Sequence, residues 1–140
     1  MEELKKRAAS LIPYRKIGDS FFVFLQRRTT DAPSWPDYLG FFGGKIEEGE
    51  KMEEAFLREV KEELNYIPQR AVFWGTFDFG DKFVSIFIEQ VDELFENKVE
   101  VLEGQYGRFY TNADIQNEKK MSLAHRKVLA QLFSFIAKQN

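Results

Sequence analysis

The chain has 140 residues, 44% of them hydrophobic and 31% charged, which suffices for one domain, residues 1–140, with a real core. Its net charge of −3 supplies no global field for a nucleic-acid polymer or an anionic membrane, so neither is expected as a partner. With no Cys, disulfides and thiolate zinc centres are excluded, and a reducing, cytoplasmic setting is expected.

Along the chain, the start has no apolar run of the kind a secretory signal needs, and no segment approaches the ~18 apolar residues of a membrane span. Lys5, Lys6 and Arg7 follow two Glu and read as a solvated end. Residues 8–17 and 20–26 predict a hairpin turning at Gly18-Asp19; the second segment, SFFVFLQ, is apolar without a break, as in a strand buried on both faces. Residues 29–39 hold Asp31, Pro33 and Pro36 and predict a loop. Within it, Trp35 and Tyr38 either stack on a planar ligand or pin the loop to the core. Met52, Phe56, Val60 and Leu64 recur every four residues, the buried stripe of a helix that Pro68 closes off.

Residues 72–79 and 83–91 predict a second hairpin around Gly80-Asp81, with Trp74 in the core. A polar, Glu-rich connection over 92–104 leads to a short strand at 107–111. A terminal helix over 121–138 follows, with Leu123, Val128, Leu129, Leu132, Phe133 and Ile136 on its apolar side. His125, the only His, reads as a packing or surface residue of that helix, with a substrate or proton-transfer role as the second reading. This order of strands and helices gives a mixed central β-sheet with helices packed on it, an α/β (α+β) fold. The 15 Phe suit an aromatic core and a pocket for a flat ligand.

The chemistry lies in residues 43–66, GGKIEEGEKMEEAFLREVKEELNY. Glu59, Glu62 and Glu63 stand at i, i+3 and i+4, so at about 100° per residue they share one edge of the helix. Like charges so close repel. A hard cation relieves them, and an all-oxygen cluster selects Mg²⁺ or Mn²⁺ over zinc.

The segment resembles the Nudix box, with Gly44, Glu50, Arg58, Glu59, Val60, Glu62 and Glu63 in the matching places. By average composition, its six Gly, Glu and Arg places recur by chance at about 10⁻⁵ in a chain this long. Asn65 stands where the family has Gly, a mild change because Asn is the next best residue for a left-handed helix end. Tyr66 replaces an aliphatic residue. The resemblance implies an α/β/α sandwich. It assigns Glu59, Glu62 and Glu63 to the metal, and it makes Arg58 the orienting partner of the box carboxylates. Glu50 closes the preceding loop onto the helix. Gly43 and Gly44 allow a tight backbone course beside phosphate and metal.

Beyond the box, FFGGKIEEGE and LQRRTTDA are similar to stretches of the MutT subfamily, nucleoside triphosphate pyrophosphohydrolases that include sanitisers of oxidised guanine nucleotides. On that likeness Arg28 contacts nucleotide, and Glu103 of Glu103-Gly104-Gln105 adds a metal-site carboxylate and candidate general base. Phe79 and Asn112 fall in similar contexts, and Phe79 is counted with the substrate residues. Phe42 stands where MutT-like boxes carry Pro, and a reshaped pocket beside the phosphates is expected. The function implied is metal-dependent hydrolysis of a nucleoside diphosphate linked to another moiety, foremost a nucleoside triphosphate giving monophosphate and pyrophosphate. Dinucleoside polyphosphate or nucleotide-sugar hydrolysis is the alternative within the enzymes. A catalytically silent nucleotide-binding Nudix module is the alternative of another class. A homodimer is also in keeping with the family.

Overall fold

A computed structural model describes residues 5–139. Seven strands form one mixed sheet: β1 (Lys6–Ile17), β2 (Ser20–Arg27), β3 (Leu39–Gly40), β4 (Phe42–Lys45), β5 (Val72–Asp78), β6 (Lys82–Gln90) and β7 (Tyr106–Tyr110). Four helices accompany it: α1 (Met52–Leu64), α2 (Phe95–Lys98), α3 (Asn112–Asn117) and α4 (Leu123–Ala137). No helix among the described residues is long and apolar enough to cross a membrane.

The sheet owes its shape to a hairpin that opens. β1 pairs with β2 only near the turn, from Tyr14↔Val23 to Ile17↔Ser20. One edge of β1 is taken by β6, in parallel, from Lys6 to Tyr14. Farther from the turn, the other edge of β1 passes to β4 at Ala8–Leu11, while β2 passes to β3 at Gln26 and Arg27. The two strands therefore splay, and the 39–45 segment fills the gap. β7 takes the outer edge of β2, bringing the end of the 99–105 connection to the same mouth.

Both faces of the sheet are covered, which explains the unbroken apolar runs: alternate residues serve opposite layers. Ala8, Val23, Leu25, Phe41, Ile86 and Ile88 face α4, whose Val128, Leu129, Leu132, Phe133 and Ile136 are buried. Ala9, Phe24, Phe42 and Phe87 face α1 and its Ala55, Phe56, Val60 and Leu64. Aromatic rings fill this second layer, with Phe56 stacked on Phe87 at 4.1 Å and Phe24 on Phe42 at 5.6 Å.

Several expectations need correction. The terminal helix begins at Leu123, capped by Ser122, and Leu123 is exposed because it precedes the turn that meets the sheet. Residues 92–104 are more than a polar connection: α2 buries Phe95 against Phe24 and Tyr66. The strands β3 and β4 and the helix α3 lie in stretches too short or too glycine-rich for periodicity to show. Phe42 lies in the core on the α1 face rather than in a pocket, so its exchange for Pro is a matter of packing. The basic trio is exposed, but Lys6 and Arg7 belong to β1, and Lys5 pairs with Asp78 at 2.7 Å. Glu2 and Glu3, read with them as a solvated end, lie outside the described residues.

Candidate active site

The mouth of the splayed hairpin is a cleft of about 390 Å³ lined by strand ends, loops and the start of α4. Gly43, Gly44, Glu63 and Glu103 lie at one part of its wall, and Arg28, Phe79 and His125 at others. Those residues are far apart in sequence; the sheet brings them together.

The acidic wall rests on α1. The helix runs straight into its left-handed end at Asn65 (φ 47°, ψ 46°), whose N–H reaches Lys61 O, so Asn does the work of a terminal Gly here. The same helical edge places two neighbours in opposite settings: Glu63 is 2% exposed, whereas the Glu62 side chain is 59% exposed. Glu63 Oε2 accepts the Gly43 N–H at 2.9 Å. Burial, then the charges of the neighbouring Glu103 and Glu59, push the Glu63 carboxyl up to about 9.

Arg58 organises the other side. Its Nε and one terminal nitrogen donate to both oxygens of Glu50, at 2.8 and 2.9 Å. Its other terminal nitrogen donates to Glu59 Oε1 at 2.8 Å and stands 3.7 Å from Glu62. A further bond to the Lys45 carbonyl ties the guanidinium to β4. This fork holds the Glu50 carboxyl down to about 2 and keeps Arg58 charged at any working pH. Arg58 thus closes the 45–51 loop onto the helix, and Glu50 faces Arg58 rather than the cleft.

Both glycines are needed for close approach. At Gly44 the Glu59 carboxylate lies where a Cβ would be, 2.5 Å from its Cδ. Gly43 has φ 145°, and a Cβ there would meet the Ala9 carbonyl at 2.2 Å.

Glu103 arrives from the far side of β2. Gln26, a polar residue in an apolar strand, donates to the Glu103 carbonyl at 3.2 Å. Gly104 (φ 83°) presses on the Arg27 carbonyl. Gln105 donates to the Arg28 carbonyl at 2.8 Å and to Asp37 at 2.7 Å. The Glu103-Gly104-Gln105 triplet is therefore a clasp between β2 and the 29–38 loop, and it sets a second carboxylate beside Glu63.

The opposite wall is aromatic. Phe41 and Phe79 meet the His125 ring edge-on, with centroids at 4.6 and 5.0 Å. Trp35 packs at 5.0 Å on Tyr38, and both line the cleft, although Trp35 itself is mostly exposed. Arg28 lines the cleft while its Nε holds the Ser34 carbonyl, whereas Arg27 turns away to pair with Glu118. Burial, then Lys82 and Arg28, lower the His125 imidazole to about 4, so it is neutral near pH 7. Phe41, Gln26 and Lys82 were not singled out from the sequence. For Gln26 the signal was there: an amide in a run of core residues.

The oxygen donors suit a hard divalent cation. Crowded carboxylates, with Glu63 pushed towards its neutral form, lack a counter-charge, and Arg58, committed to Glu50, Glu59 and Lys45, cannot supply it to Glu63 and Glu103. Among the described residues no three carboxylates yet converge as a ready-made cage. Glu59 is held by Arg58 and Glu63 by Gly43, so side-chain rotation accompanies any binding.

Residues 4–132 match the NUDIX domain family. The 8-oxo-dGTP diphosphatase of Escherichia coli (strain K12) is 32% identical over 112 residues, which cover 79% of this chain and 84% of that protein. A MutT structure described for Aliivibrio salmonicida and Vibrio cholerae superposes with a TM-score of 0.74 at 22% identity, over 94% of this chain and 99% of that one. The NUDIX domain of Shewanella oneidensis NrtR, complexed with ADP ribose, gives 0.75 at 14% identity, over 96% and 90%. A binary complex of a C. elegans Ap4A hydrolase gives 0.71 at 22% identity, over 94% and 99%. These structures share the fold. With most of its length matched, the chain belongs to the Nudix family and is a Nudix hydrolase of the pyrophosphohydrolase kind.

Proposed function

We propose that residues 1–140 act as one catalytic domain, a MutT-like pyrophosphohydrolase that converts a nucleoside triphosphate, oxidised forms included, into monophosphate and pyrophosphate. The observation that carries this reading is the cleft itself: buried and exposed carboxylates at one part of its wall, an aromatic and cationic wall at the other. The 8-oxo-dGTP diphosphatase relative supports it. Glu59, Glu62, Glu63 and Glu103, with the Gly44 carbonyl, are the residues that would hold Mg²⁺ or Mn²⁺, which supplies charge neutralisation and a more acidic water. Arg58 positions Glu59 and, through Glu50, the glycine loop. The Gly43–Gly44 backbone passes close to the phosphates. Arg28 and Phe79 bind the nucleoside part. Glu103, exposed and adjacent to Glu63, is the candidate that takes the proton from the attacking water. A small-molecule nucleotide partner, a cytoplasmic setting and a homodimer go with this reading.

The test is product analysis on a panel of nucleoside triphosphates, 8-oxo forms, dinucleoside polyphosphates, ADP-ribose and nucleotide sugars, with and without Mg²⁺ or Mn²⁺. Metal-dependent monophosphate and pyrophosphate are expected, and Glu62→Gln and Glu63→Gln each lower turnover by about a hundredfold or more. Turnover of another class alone moves the substrate and keeps the site. Near-normal turnover in both variants overturns the site, and binding with no turnover of any panel member favours a silent module.

A further inference from the structure

One stretch of the cleft wall is held in a conformation that its own residues disfavour. Residues 29–38 form neither helix nor strand, yet they carry Trp35 and Tyr38 to the cleft. Trp35 (φ 51°) and Asp37 (φ 62°) both lie in the left-handed region, where Gly, Asn and Asp sit readily and a bulky residue does not. Trp35 is also 58% exposed, so burial of its ring offsets little of that strain. The ring rests on Tyr38 at 5.0 Å and keeps much of its surface open. Pro36, with φ fixed by its own ring, joins the two left-handed residues, so the placing of Asp37 fixes that of Trp35.

Asp37 is fastened through both backbone and side chain. Its N–H donates to the Thr29 carbonyl at 3.0 Å, and a terminal nitrogen of Arg27 donates to its carbonyl at 3.1 Å. Its carboxylate accepts the Gln105 amide at 2.7 Å on one oxygen and the Lys120 ammonium at 2.9 Å on the other. Both of these pegs are themselves tied to the sheet. The Gln105 N–H donates to the Arg27 carbonyl at 2.8 Å, and the Lys120 carbonyl accepts the Leu39 N–H at 2.8 Å. Asp37 stands outside the cleft lining, so the fastening serves the loop and not a contact of its own.

We propose that Asp37 is a positioning residue for substrate: clamped between Gln105 and Lys120, its carboxylate holds the left-handed loop so that the open face of Trp35 stacks on the planar base of the bound nucleotide. This rests on the nucleotide reading above. A platform set before binding needs no ordering when the base arrives, so the strain is carried by the free protein and the stacking is realised in full.

Equilibrium binding of the four deoxynucleoside monophosphates, read by calorimetry and by quenching of tryptophan fluorescence, forms the test. The tightest of them is expected to quench wild-type emission. Trp35→Leu is expected to lose most of the quench and to bind about tenfold more weakly. Asp37→Gly permits the left-handed backbone but removes the clamp. It is expected to weaken binding by about fivefold and to raise KM for the triphosphate, with kcat changed by less than about twofold. Asp37→Asn, which keeps the left-handed preference and an acceptor for Gln105, recovers binding to within about threefold of wild type. Lys120→Met, which removes the other peg, has an intermediate effect. In the Trp35→Leu background, Asp37→Gly adds no further loss. Additive losses would overturn the assignment, as would kcat falling in parallel with melting temperature in Asp37→Asn, the mark of a merely structural role. If the monophosphates bind wild type and Asp37→Gly alike, the nucleotide reading stands and the role of Asp37 fails; if none binds wild type, both fail.

Discussion

A methyl group on Gly44 would sit 2.5 Å from Glu59 Cδ, whereas one on Gly43 would sit 2.2 Å from the Ala9 carbonyl. The two obstacles differ in kind. The Glu59 carboxylate can swing aside, at the expense of its place beside Arg58. The Ala9 backbone cannot move without breaking the β1–β4 ladder. Gly44→Ala is therefore expected to fold with nearly unchanged melting temperature and to lose at least about tenfold in kcat/KM. Gly43→Ala, with φ 145° in addition, is expected to lose about 2 kcal/mol or more of stability, read by urea unfolding. His125 gives the pH dependence at this scale. Its folded pKa of about 4 lies below the ordinary 6.5, so between those values the unfolded chain binds a proton that the folded one does not. Its contribution is whole above pH 6.5, falls as pH drops from 6.5 to 4, and is gone below 4. Stability curves of wild type and His125→Gln should converge as pH falls through that window; parallel curves would contradict the enclosure of the ring.

Among the elements, α1 and the 92–105 connection decide the geometry of the acidic wall. Asn65 in the left-handed region is the stop that aligns the last turn, and with it Glu62 and Glu63. Asn65→Gly is expected to be neutral or slightly stabilising, and Asn65→Val to cost about 1–2 kcal/mol, a contrast measurable by thermal unfolding. The connection is anchored by Phe95, 1% exposed, and by the Glu100 and Leu102 N–H groups, which donate to the Leu64 and Glu63 carbonyls at 2.8 and 2.7 Å. Phe95→Ala is expected to cost about 3–5 kcal/mol. The milder Phe95→Leu should stay folded yet lose turnover, because Glu103 hangs from the same connection; unchanged turnover in a folded Phe95→Leu protein would separate α2 from the site.

The whole molecule sets carboxylates from α1 and the β7 approach against one another at the mouth of the opened hairpin, so its stability is linked to the counter-charge there. Mg²⁺ at about 100 times its dissociation constant is expected to stabilise the fold by about 2.7 kcal/mol, and EDTA to remove the gain. Glu63→Gln, which needs no proton or cation to remain neutral, is expected to melt higher than wild type without metal and to gain nothing from Mg²⁺. A full Mg²⁺ response in Glu63→Gln would place the ion elsewhere.

Much of this arrangement follows from local rules. The period of four through Met52, Phe56, Val60 and Leu64 requires a helix, and the spacing of Glu59, Glu62 and Glu63 puts their carboxylates on its edge whatever the helix packs against. The alternating layers of SFFVFLQ, the turn at Gly18-Asp19 and the left-handed stop at Asn65 are likewise properties of short segments, settled by backbone sterics and side-chain period. What depended on the tertiary structure were quantities set by distant chain. Glu63 is buried and Glu62 exposed because Gly43, on β4, and Glu103, on the connection before β7, come from distant parts of the chain. Phe42 packs in the core on the α1 side, whereas Phe41, buried on the α4 side, also lines the cleft, because the sheet fixes which face each residue meets. His125, an ordinary residue of a terminal helix by sequence, faces the cleft because α4 starts beside Phe41 and Phe79. Burial, proximity and crowding of charge arise between segments that only the fold brings together, and no local pattern encodes them.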